Sequence, residues 1–129
     1  MTAKVGNRVI HRVRISASDA HYGGGLVDGA HVMKLFGDVA TELLIRSDGQ
    51  EGLLRAYQTV DFLAPVFAGD ILEVSCELTQ VGNTSRQMIW QAHKVIAGSR
   101  DPAKSDLGQV LKTPVLVAQA QGTCVVKNA

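Results

Sequence analysis

The 129-residue chain has only two cysteines, Cys76 and Cys124, and neither stands at metal-ligand spacing from other ligating residues. That leaves no zinc-ribbon arrangement and, at most, a single disulfide as the alternative to free thiols. Both cysteines fall in strand-like segments and read as small buried hydrophobes of a reducing compartment. An excess of one charge is missing too. Lys and Arg number 13 and Asp and Glu 12, a formal charge of +1, which gives no basis for nucleic-acid or anionic-membrane binding. No apolar run approaches the roughly 20 residues of a membrane-spanning helix, and Met1 to Arg8 has no apolar core of a signal peptide. The expected location is cytoplasmic. Repeats, low-complexity tracts and linkers are absent, so residues 1–129 read as one domain. What remains, 46% hydrophobic and 19% charged, is the composition of a globular chain large enough to bury a core.

The pattern along the chain predicts one strand, one long helix and then four strands. Val9, His11, Val13 and Ile15 alternate with basic residues, as in a half-buried strand. Over Ala30 to Ile45, Val32, Phe36, Val39 and Leu43 recur at helical spacing, and Asp48-Gly49 ends the run. Leu53 to Phe62 alternates until Ala64-Pro65 breaks it, since proline cannot donate to a sheet ladder. Leu72, Val74, Cys76 and Leu78 alternate with polar residues, Val81-Gly82-Asn83-Thr84 signals a tight hairpin, and Met88 to Ile96 returns. Ala97 to Pro114, rich in Gly, Asp, Lys and Ser, reads as a long loop before Val115 to Lys127 closes the sheet. Antiparallel strands around one early helix make an α+β domain.

Chemistry concentrates at the start of the helix. Gly23, Gly24 and Gly25, followed by Gly29, lead directly into the helical pattern. Such a loop leaves N–H groups uncovered at the positive end of a helix dipole, which suits a phosphate, a carboxylate or a carbonyl oxygen becoming an anion. Asp28 has the position of an N-cap, and His31 near the helix start reads equally as structural. Four residues apart within the helix stand Asp38 and Glu42. Two readings compete. With Lys34 and Arg46 they form an i, i+4 ladder of opposite charges, a common solvated face. Flanked by Leu35 and Ile45 in a drier site, they form instead an acid and base pair in which one pKa is raised. His11 and His93 sit in strands and receive no role.

Several segments together resemble a known family. Val60 to Asp70 and Val81 to Arg86 are similar to the strand-and-turn and the later hairpin of acyl-CoA-handling hotdog proteins. Asp19-Ala-His-Tyr-Gly23, Leu26 to Ala30, Phe36-Gly-Asp-Val-Ala-Thr-Glu-Leu43 and Asp61 to Asp70 resemble the β-amino acyl-CoA ammonia-lyases over residues 8–127. The resemblance implies a hotdog fold, a five-stranded antiparallel sheet wrapped around one central helix. It also implies a homo-oligomer, a dimer or a trimer of dimers. The implied reaction is reversible loss of ammonia from (S)-3-aminobutyryl-CoA to give crotonyl-CoA, as in lysine fermentation; β-alanyl-CoA is the alternative substrate. A thioesterase using Asp38 or Glu42 to activate water, and a non-catalytic acyl-CoA sensor, are the readings from other classes.

On that resemblance Glu42 is the base at the α-carbon and Asp38 handles the β-ammonium, the two roles being exchangeable. Gly24, Gly25 and Gly29 offer N–H groups to the thioester oxygen, and His21 and Tyr22 line the acyl pocket or merely anchor the loop. Asn83, Thr84, Ser85 and Arg86 are the candidates for binding CoA, with Arg100 and Lys104 as further phosphate partners. No metal and no cofactor is expected, coenzyme A being part of the substrate.

Overall fold

The computed structural model describes residues 2–128 and contains five strands and one long helix. Strand β1 spans Arg8–Arg14, helix α1 Gly29–Asp48, β2 Leu53–Phe62, β3 Ile71–Val81, β4 Ser85–Gly98 and β5 Gly108–Val125. All pair antiparallel in the order β1-β3-β4-β5-β2, so β1 and β2 are the two edges.

Alternation along the strands gives the sheet an apolar concave face, and the helical period gives α1 an apolar stripe to fill it. Val32, Phe36, Val39 and Leu43 are buried against Leu72, Val74 and Leu78 of β3 and Met88 and Trp90 of β4. Removing each such side chain from water contributes roughly 1.5–3 kcal/mol. Trp90 also donates its Nε1–H to the Phe36 carbonyl at 2.9 Å, which satisfies a buried polar group and ties helix to sheet. Cys76 and Cys124 are free and buried, and burial raises both thiols, Cys124 to about 11. Both stay protonated at neutral pH and neither is a ready nucleophile.

Two expectations need correction. Residues 97–114 are not one long loop. Strand β4 runs on to Gly98 and β5 begins at Gly108, leaving a short connection with a 3-10 turn at Pro102–Lys104. Backbone pairing, Ile96 with Val110 and Gly98 with Gly108, defines the extension, whose apolar residues Ile96, Ala97 and Val110 are not buried and so give no one-faced alternation. The helix, in turn, does have an exposed stripe in the single chain. Ala30, Lys34, Asp38, Ile45 and Arg46 face outward, Ile45 being 47% exposed, whereas Leu35 is buried.

The turn after β2 is braced by Asp70, a carboxylate 1% exposed. It accepts from the Phe67 and Gly98 amides at 2.8 and 2.9 Å and lies 3.0 Å from Lys94 Nζ. Gly98 lies so close to Gly69 that a Cβ there would stand 2.7 Å from the Gly69 carbonyl carbon. Here two backbones meet, and no larger residue fits without moving one of them.

Candidate active site

The glycine segment folds as a 3-10 turn, Gly23–Gly25, and docks on the turn after β2. Leu26 bridges Phe67, the Val27 amide donates to Val66 at 2.9 Å, and the Ala68 amide donates to Gly25 at 2.9 Å. Asp28 occupies the N-cap position through its backbone, without a side-chain hydrogen bond. Gly29 is the first helical residue, so its N–H has no acceptor within the helix. The Phe62 ring rests against it, and a Cβ on Gly29 would stand 2.7 Å from that ring.

Beside Gly29 opens a cavity of about 330 Å³ lined by Val27, Val32, Phe62, Leu63 and Val117. Its lining side chains are apolar, it lies at the positive end of the helix, and it has room for a short acyl group. Gly24 and Gly25 line a different cleft, on the other side of the Leu26–Phe67 bridge. His21 and Tyr22 are exposed and touch each other edge-on, ring centroids 5.1 Å apart. His31 Nε2 lies 3.7 Å from an Asp19 oxygen and has no hydrogen-bond partner among the described residues.

Asp38 and Glu42 both point to the outer stripe of α1, and the charge ladder does form. Lys34 Nζ bonds Asp38 at 3.0 Å and Arg46 Nε bonds Glu42 at 2.9 Å. Glu42 has a second partner that sequence reasoning missed. His11, in the inward-pointing register of β1, places Nε2 2.9 Å from Glu42 Oε1. Each carboxylate oxygen of Glu42 thus has its own donor. The pair was expected to raise one carboxyl; Glu42 is instead held below the ordinary glutamate value of 4.5, first by Arg46 and then by His11.

Distance along the helix separates these groups. Thirteen residues from Gly29 to Glu42, at 1.5 Å rise each, span about 20 Å, and Gly29 to Asp38 about 14 Å. Neither carboxylate lines the cavity at Gly29. One chain therefore does not bring the loop amides and the acids to one acyl group, although both stand on one segment of sequence.

The hairpin Asn83–Arg86 divides. Asn83 is exposed at the turn, which the Gly82 amide closes on the Ser85 carbonyl at 2.9 Å. Arg86 is not an exposed phosphate ligand. It is 7% exposed, grips Asp48 through Nε and Nη2 at 3.0 and 2.8 Å, and donates Nη1 to the Gly82 and Ser85 carbonyls. This buried fork fastens the helix end to the hairpin. Among the described residues no three of His, Cys, Asp and Glu are grouped so as to hold a metal ion, and no helix is long and apolar enough to cross a membrane.

Comparison with known proteins agrees with this architecture. A family model described as the thioesterase superfamily matches residues 24–91. The chain is 60% identical over 115 residues to the 3-aminobutyryl-CoA ammonia lyase of Acetoanaerobium sticklandii, covering 89% of this chain and 90% of that one. The solved β-alanyl-CoA:ammonia lyase from Clostridium propionicum superposes with a TM-score of 0.89 at 35% identity, over 95% of this chain and 87% of that one. An acyl-CoA hydrolase from Staphylococcus aureus, solved with butyryl coenzyme A, shares the fold at 18% identity and a TM-score of 0.75, over 95% of this chain and 67% of that one.

Proposed function

Since the chain belongs to the thioesterase superfamily and, within it, to the β-amino acyl-CoA ammonia-lyases, we propose that it is a lyase interconverting 3-aminobutyryl-CoA with crotonyl-CoA and ammonia. The observation that carries this reading is the 60% identity to the Acetoanaerobium sticklandii enzyme over 89% of the chain. The difference from β-alanyl-CoA is one methyl group, worth about 1–3 kcal/mol in a pocket. The apolar cavity at Gly29 supplies a surface on which that methyl would be counted.

The chemistry divides between the N-terminus of the helix and its outer stripe, where Asp38 and Glu42 stand. The Gly29 amide and the helix N-terminus polarise the thioester carbonyl and hold the enolate oxygen, an effect of roughly 3–4 kcal/mol per well-aimed donor. Glu42, oriented by His11 and Arg46, removes the α-proton. The electron pair of the enolate then forms the double bond as the C–N bond breaks, and its electrons leave with ammonia. The proton held by Glu42 passes to the departing ammonia, so the net product is ammonium. Asp38, one turn away, holds the β-ammonium before it leaves. No metal or redox cofactor enters, and coenzyme A arrives as part of the substrate.

Because about 20 Å separates Gly29 from Glu42 on one helix, the working site is formed by two copies, the loop of one facing the acids of the other. The outer stripe of α1, with Ile45 47% exposed, and the edge strand β2, with Leu53 69% and Leu54 47% exposed, are the apolar surfaces such pairing would cover. We place the enzyme in the cytoplasm and in lysine fermentation, as a dimer or a trimer of dimers.

Incubation with crotonyl-CoA and ammonium, followed by mass spectrometry, is expected to give an adduct heavier by one ammonia with the thioester intact. Release of free CoA thiol without that adduct would establish a hydrolase instead.

A further inference from the structure

The second cleft, between the glycine turn and the β4–β5 connection, has no part in the chemistry above. It measures about 300 Å³, and its lining includes Arg14, Gly24, Gly25, Phe67, Arg100 and Ser105. Arg100 sits over the Phe67 ring, its guanidinium carbon 3.2 Å from the ring centroid. Stacking occupies the face of the guanidinium and leaves its edge, where the N–H donors are, directed elsewhere. Among the described residues, neither Arg100 nor Arg14 forms an ion pair with a carboxylate. Asp101, the acid of this cleft, is occupied as the cap of the 3-10 turn, accepting from Ala103 N at 3.0 Å.

The cleft is also built rather than incidental. Phe67 is fixed because its amide donates to buried Asp70, and the same carboxylate takes the Gly98 amide two residues before Arg100. The Ser99 amide donates to Leu107 at 3.0 Å, closing the connection on itself. Lys94, the other cation near the ring, is spent on Asp70 and the Pro65 carbonyl. Two guanidinium groups thus face one cleft with donors to spare, on a support that orients one of them.

We propose that this cleft binds a phosphate group of the coenzyme A tail, with Arg100 and Arg14 as its ligands and Phe67 as the platform for Arg100. The assignment rests on the acyl-CoA reading above. It names a part of the substrate that the acyl chemistry leaves free. The Leu26–Phe67 bridge separates the two compartments, an apolar one for the acyl end and a cationic one for the phosphate end.

Steady-state kinetics with two thioesters tests this, crotonyl-CoA and crotonyl-pantetheine, the second having no phosphate. Arg100→Gln is expected to raise KM for crotonyl-CoA about tenfold or more, with kcat within twofold and KM for crotonyl-pantetheine unchanged. Arg14→Gln should do the same more weakly, and Phe67→Leu should reproduce part of the Arg100 effect. Equal changes with both thioesters, or no change with either, would overturn the proposal. Calorimetric binding of free coenzyme A separates it from the lyase reading. A wild-type protein without ammonia-adding activity, whose CoA affinity still falls on Arg100→Gln, loses the lyase assignment and keeps this one. Intact lyase turnover with CoA affinity unaltered by Arg100→Gln does the reverse.

Discussion

Asp70 and Glu42 are both carboxylates held between two kinds of donor, and they serve opposite ends. Asp70 is 1% exposed, and its partners are two backbone amides and a lysine that is itself largely buried. Every direction it could act in is already taken. Glu42 has a side chain 40% exposed, and its partners are an exposed arginine and a half-buried histidine on another element. Its oxygens are oriented, yet one side stays open. A carboxylate saturated by amides braces a fold; one steadied by side chains and left accessible is equipped to exchange a proton.

The sharpest way to break this comparison is to remove the brace. Asp70→Ala leaves Lys94 and two amides without their partner, and breaking a buried pair costs about 3–5 kcal/mol. Urea unfolding should show a loss of that size. A loss below about 1 kcal/mol would mean that water replaces the carboxylate and that the turn is not braced by it. Glu42→Gln should do the converse. Because its ion pairs are screened by solvent, the unfolding transition should hardly move, while turnover falls about 10²–10⁴-fold, the usual contribution of a positioned general base. Unchanged turnover would remove Glu42 from the site.

The division of labour between copies sharpens the same contrast. A Gly29→Val chain has its loop end obstructed, because even a Cβ there meets Phe62 at 2.7 Å, and a Glu42→Gln chain has lost its base. Co-expressed under two tags and purified as the mixed dimer, they would contain one intact site of two and recover about half of wild-type activity. Sites formed within single chains would recover none.

The sequence made some of this legible and concealed the rest for a physical reason. Strand β2 is bounded where alternation and Pro65 bound it, and the apolar stripe of α1 is the buried one, because both patterns are local. The two Glu42 partners differ in this respect. Arg46 is four residues away and could be read from spacing, whereas His11 lies 31 residues away across β1 and α1, in a register slot that alternation marks only as inward. Arg86 looked like a free cation because Asp48, 38 residues distant, is invisible to any local pattern. The far ends of β4 and β5 were hidden differently: neither Ile96 nor Val110 is buried there, so pairing of the two backbones rather than a one-faced apolar alternation defines them.

The smallest effect is also the most specific to His11. Glu42 is depressed below 4.5 by Arg46 first and His11 second, so its base form persists at lower pH than an isolated glutamate's. The acid limb of kcat/KM should accordingly fall below pH 4.5. In His11→Leu one of the two donors is gone, so the limb should move up toward the ordinary value without reaching it, Arg46 remaining in place. A turnover loss of about tenfold would accompany the shift, since one of the two hydrogen bonds that orient the base is lost. The same depression has a stability counterpart with a defined sign. A carboxyl whose folded value lies below its unfolded one stabilises the fold above the unfolded value and loses that contribution as pH falls through the folded one. Asp19, held low chiefly by the Ser16 amide, behaves alike from its ordinary value of 3.8. The stability difference between wild type and His11→Leu should therefore shrink as pH falls below the ordinary glutamate value of 4.5. A pH profile superimposable on that of the wild type, with only the melting temperature changed, would reduce His11 to a packing residue and leave Arg46 as the one group that orients the base.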